Sequence, residues 1–89
     1  MTDTEEQLIS PAMIRAARAL LGIEQVEVAE KARLTQRTIS KAEREVGSHR
    51  DPRRRKVLQT LRGVFENEGV EFIFPSEITG EGVRLRVVR

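Results

Sequence analysis

A chain of 89 residues with 38% apolar side chains can build one small domain with at most a small appendage, but not a deep substrate cleft. It has no cysteine, which removes disulfides and thiolate metal sites, and its single histidine, His49, leaves too few ligands for a metal cluster and too few partners for a catalytic triad. The net charge of +2 hides an asymmetry: positions 33–56 carry nine Lys/Arg against three acids, whereas positions 1–9 carry three acids and no base. A basic block beside neutral or acidic ends is the footprint of a polyanion-binding face, the bland alternative being a solvated charged surface. The acidic start, MTDTEEQ, argues against a targeting peptide, and no apolar run approaches the roughly 18 residues needed to span a bilayer, so a cytoplasmic protein with no membrane partner is expected.

In chain order, residues 1–9 read as a polar, flexible N-terminus. Ser10-Pro11 then supplies an N-cap and a proline at the first helical position, and Gly22 a left-handed stop, so the first helix is expected to end at about Leu21. Ile14, Ala17, Leu20 and Leu21 form its expected inner stripe, with Met13 at the margin. A second helix is expected from about Gln25 to Ala32, with Val28, Ala29 and Ala32 buried and Glu24, Glu27 and Glu30 facing solvent. Thr35 can cap a third, running to about Arg44, with Ile39 and Ala42 inward and Gln36, Arg37, Ser40, Lys41 and Arg44 outward.

After the loop VGSHRDP, Asp51-Pro52 repeats the cap-and-proline signal and opens a fourth helix, ending near Asn67-Glu68-Gly69. Val57, Leu58, Leu61, Val64 and Phe65 give it one apolar face. Its first turns hold Arg53, Arg54, Arg55 and Lys56, although the N-terminal end of a helix dipole is positive and disfavours cations. A local rule broken without structural gain points to function, and Arg53 and Arg54 are the better phosphate candidates, with Lys56 facing solvent. From Val70 the texture changes to β-prone alternation. Val70, Phe72 and Phe74 would line one face of a first strand and Val83, Leu85 and Val87 one face of a second, joined through PSEITGEG as an antiparallel hairpin. An isolated hairpin is marginal in water, so this one must pack on the helices or pair across a dimer.

The segment GIEQVEVAEKARLTQRTISKAERE, Gly22 to Glu45, resembles the helix-turn-helix of the phage-repressor (Cro-like, XRE) family in length, order and spacing. The shared features are Gln at the start of the first motif helix, Ala inside it, the Thr/Ser-Gln-x-Thr/Ser-Ile start of the recognition helix and a late Glu. The family-like frame covers roughly Ser10 to Asn67. Two positions depart from it: Arg33 replaces the usual turn glycine, and Ala42 replaces a larger aliphatic residue. The resemblance implies an ion pair between Arg18 and Glu43 that fixes the presentation of the recognition helix, and a phosphate-anchoring role for Gln25, where the free backbone N–H groups of a helix start also favour an anion.

Direct readout requires hydrogen-bonding side chains near the start of a helix that fits the major groove. Gln36, Arg37, Ser40 and Lys41 are the candidates for base edges: Gln pairs bidentately with adenine and Arg with guanine. Thr38, Arg44, His49, Arg50, Arg53 and Arg54 join Gln25 as candidates for phosphate contact, which positions the protein without reading sequence. The sequence-level expectation is a mainly α, four-helix, phage-repressor-like helix-turn-helix domain over residues 10–69, with a C-terminal β-hairpin over 70–89 that serves dimerisation. It would be a non-enzymatic, sequence-specific transcriptional regulator, a repressor by preference, needing no cofactor and no metal, binding double-stranded operator DNA as a homodimer. Two other readings fit the same residues: an antitoxin whose hairpin contacts a toxin protein, and a protein-interaction module that has kept the fold without the DNA role.

Overall fold

The computed structural model describes residues 7–47 and 50–86. The elements follow one another as α1 (Pro11–Leu21), α2 (Gln25–Ala32), α3 (Gln36–Arg44), α4 (Pro52–Asn67), β1 (Val70–Ile73) and β2 (Gly82–Leu85). The helix ends lie where local chemistry sets them. Ser10 Oγ accepts from the Met13 backbone N–H at 3.1 Å, Thr35 Oγ1 from that of Thr38 at 3.1 Å, and Asp51 Oδ1 from that of Arg53 at 3.0 Å. Gly22 ends α1 at φ 68°, its N–H reaching back to the Arg18 carbonyl at 2.8 Å. Arg33 closes α2 in the same left-handed region, at φ 58°, where an L side chain crowds the following carbonyl.

The four helices enclose one core. Ile14 and Ala17 of α1, Val28 and Ala29 of α2, Ile39 of α3, and Leu58, Leu61 and Phe65 of α4 are all buried in it. The hairpin completes this core on its own subunit. β1 packs against α4 and β2 against α1, with Phe72 opposite Val83 and Val70 opposite Leu85. The Phe72 ring meets that of Phe65 edge-on, with centroids 6.1 Å apart, and Arg62 stacks over Phe74 at 4.8 Å. At the far end Ser10 Oγ donates to Glu81 Oε2 at 2.8 Å, which ties the hairpin loop to the start of α1.

Several expectations need correction. Met13, placed at the margin of α1, is only 2% exposed, because β2 lies across α1 and widens the buried stripe towards the helix start. Leu20, placed in that stripe, is 43% exposed. Ile9 was assigned to a flexible terminus, yet it is buried in the core, Leu8 packs against it, and the Gln7 carbonyl accepts from Arg62 Nη1 at 3.2 Å. Residues ahead of the cap are therefore part of the packed body, and residues 1–6 lie outside the described ones. Leu85 shares the inner face of the hairpin but is about half exposed at its edge, and Val87 lies outside the described residues.

Candidate nucleic-acid interface

Helix α3 turns Ile39, Ala42 and Glu43 inward and leaves Gln36, Arg37, Lys41 and Arg44 exposed, with Ser40 and Thr38 half-buried. The inward carboxylate is the means by which the rest of the fold holds this helix. Arg18 of α1 donates to Glu43 through Nε (2.6 Å) and Nη2 (3.1 Å), and Gln25 of α2 donates through Nε2 (3.0 Å). The third arm of Arg18 reaches the Ile23 carbonyl at 3.0 Å, and Arg15 Nη1 donates to the Glu43 backbone carbonyl. Burial by itself raises the Glu43 carboxyl, but the hydrogen bonds from Arg18 and Gln25 and the charges of Arg18 and Arg15 outweigh it. They hold it below its ordinary value of 4.5, and the Glu43 bond keeps the Arg18 guanidinium firmly protonated. Three donors on two helices thus fix the rotation and depth of α3.

The chain of contacts continues to the surface. Gln25 Oε1 accepts from Gln36 Nε2 at 3.4 Å, so the ion pair is linked through Gln25 to the first residue of α3. Thr35 and Thr38 share a hydroxyl hydrogen bond at 3.0 Å, which draws the Thr38 hydroxyl towards the start of the helix. Arg44 Nε bonds back to the Ser40 carbonyl at 3.2 Å and lies along its own helix.

A groove of about 410 Å³ separates α3 from α4. Thr38 and Lys41 line it from α3, Arg53 and Arg54 from α4, and Ala42 and Val57 form its apolar floor; Glu45 and Asp51 also border it. Ala42, the small residue at a position where the resembled family carries a larger aliphatic, is 5% exposed and belongs to the core as well as to the groove lining. The groove brings Lys41 and Thr38 of α3 together with Arg53 and Arg54 of α4; Gln36, Arg37, Ser40 and Arg44 do not line it. Arg50 and Lys56 are exposed, and His49 lies outside the described residues. Two contributors were missed in the sequence. Arg15 lies three positions before Arg18 on the same helix face, a spacing that could have suggested a shared target. Gly47 was read only as part of a loop, and its packing against Arg54 has no local signature.

A helix-turn-helix family model matches residues 14–58, from the first turn of α1 into α4, and covers half of the chain. The chain belongs to the Cro/C1-type, XRE-like helix-turn-helix family. No curated protein matches it. Family membership makes this a DNA-binding helix-turn-helix regulator, and the matched span contains α2 and α3. The hairpin lies beyond the matched span. Among the described residues no helix is long and apolar enough to cross a membrane.

Proposed function

We propose that this helix-turn-helix regulator reads a specific operator as a homodimer and represses the promoter it occupies, in the cytoplasm where its DNA is found. Each subunit lays α3 in a major groove, with Gln36, Arg37 and Lys41 on base edges and Ser40 beside them. Gln25 and the uncapped first turn of α2, Thr38, Arg44, Arg50, Arg53 and Arg54 take phosphates on either side. The observation that carries this reading is the shared groove, in which Lys41 and Thr38 of α3 face Arg53 and Arg54 of α4. One duplex docked there meets base-reading and backbone-neutralising groups together.

The dimer is favoured by the hairpin. In a two-stranded sheet each strand keeps one edge unpaired, and Leu85 on β2 leaves aliphatic surface open. A two-fold partner joined through this region sets two recognition helices about one helical turn, roughly 34 Å, apart on a pseudo-palindrome. Selection of sites from a random DNA pool tests the whole reading, because a palindromic consensus is expected. Arg37→Ala should then lower discrimination at one base pair by about 1–3 kcal/mol. An Arg37→Ala protein with undiminished discrimination removes that residue from base reading, and a particle of monomer mass both free and on DNA removes the dimer.

A further inference from the structure

We infer that Gly47 is a positioning residue for DNA contact: its lack of a side chain makes the space in which Arg54 lies, and so sets that cation at the α3–α4 groove. The inference rests on the DNA-binding reading above. Among the described residues only Gly22, Gly69 and Arg33 have positive φ, so no left-handed backbone explains a glycine at 47. Space does. A Cβ built on Gly47 would stand 2.8 Å from Arg54 Cδ, 3.0 Å from Nε and 3.5 Å from Cζ, and these are its three nearest contacts. The far half of the arginine is therefore laid directly over the Gly47 backbone.

Nothing bonded to Nε holds it there. That atom is buried and has no hydrogen-bond partner, an arrangement that costs free energy for a charged donor. What the Gly47 backbone supplies is room: Cδ and Nε lie where a side chain at 47 would stand. So placed, Arg54 lines one groove with Lys41 and Arg53; Glu45 and Asp51 border the same groove, and the excess of cations leaves it positive for a phosphate to meet. A methyl group at 47 meets only the flexible end of a side chain, so it should swing Arg54 away and leave the fold intact.

The test is the salt dependence of binding of the full chain to a short random-sequence duplex, measured for wild type, Gly47→Ala, Arg54→Ala and the double variant, with a melting curve for each. Each phosphate contact contributes about 0.9 to the log–log slope on B-form DNA. Arg54→Ala should flatten the slope by about that amount. Gly47→Ala should flatten it equally, and the double variant should match Arg54→Ala alone. Gly47→Ala with the wild-type slope, or a further loss from Gly47→Ala once Arg54 is gone, would overturn the inference. If Gly47→Ala lowers the melting temperature, the double variant should recover that of Arg54→Ala, since the clash leaves with the arm; a double variant that stays destabilised would also overturn it. A steep wild-type slope with an unaffected Gly47→Ala rejects the Gly47 role alone, whereas a flat wild-type slope rejects the DNA reading and this inference with it.

Discussion

The helical half and the hairpin each contain an Arg–Glu pair joined by two hydrogen bonds, and the two pairs do different work. Arg18 and Glu43 meet at 2.6 and 3.1 Å, with side chains 22% and 4% exposed. Arg84 and Glu71 face each other across the strands at 3.0 and 3.2 Å, with side chains 65% and 41% exposed. The donor atoms and the fork geometry are nearly the same. What differs is the alternative open to each carboxylate when its partner is removed. Glu71 returns to water, whereas Glu43 is left charged among Ile39, Ala42 and the helix backbones with only Gln25 and Arg15 nearby. The buried pair therefore specifies where α3 lies, and the exposed pair only decorates a register that Val70, Phe72 and Val83 already set.

The sharpest way to break this comparison is to remove one partner of the buried pair. Arg18→Ala should lower the unfolding free energy by about 3–5 kcal/mol, because it strands the Glu43 charge. Denaturant unfolding checks it, and a loss no larger than that of a surface substitution would show that the carboxylate has access to water. The pH dependence follows the same line. Glu43 titrates below its ordinary 4.5 in the folded protein, so its contribution is present above the unfolded value and is lost as pH falls through the folded one. Stability should fall with acidification below about pH 4.5. Glu43→Gln should remove most of that slope. The Glu71 carboxyl is also lowered, by the Arg84 hydrogen bond first, against a smaller desolvation that raises it. Its share of the acid limb has the same sign but should shrink in concentrated salt, while that of Glu43 should persist.

Next in size is a test of whether the tightly specified half carries slack. Arg33 closes α2 at φ 58° and is exposed. Arg33→Gly removes the crowding of a left-handed L residue and should raise stability by about 1 kcal/mol, less whatever the extra freedom of glycine costs the folded state. A lower melting temperature for this variant would mean that the Arg33 side chain makes a stabilising contact that its exposure does not suggest.

The parts of the molecule that were legible in the sequence are those fixed by neighbours close along the chain. Ser10-Pro11, Gly22, Thr35 and Asp51-Pro52 act over one helical turn, so the four helix boundaries could be read from them. The polar outer face of α3 was legible because Ile39 and Ala42 define its inner face by periodicity. The burial of Met13 and Ile9 and the exposure of Leu20 depend on how distant segments pack on α1, β2 among them from some seventy positions away, and local periodicity carries no record of that. The seat of Arg54 on Gly47 was illegible for the same reason. Glycine in a loop usually signals a turn, and only the folded loop shows that here it supplies room. In the candidate interface, the sequence showed which residues are polar and basic, whereas the meeting of Thr38 and Lys41 with Arg53 and Arg54 at one groove depends on how α4 packs beside α3.

The smallest effect belongs to the exposed pair, and it closes the comparison from the other side. Arg84→Ala removes both hydrogen bonds to Glu71, yet it leaves a carboxylate that water already solvates and a register held by Phe72 against Val83. The melting temperature of Arg84→Ala should stay close to that of the wild type, and what change there is should vanish when salt is added. Pairing Arg84→Ala with Arg18→Ala makes this a sharper measurement. The two ion pairs are anchored in different elements and share no partner, so their effects should add. A double variant far less stable than that sum would mean that the hairpin pair braces the helical core through α1, and the division between a specifying pair and a decorating one would then have to be abandoned.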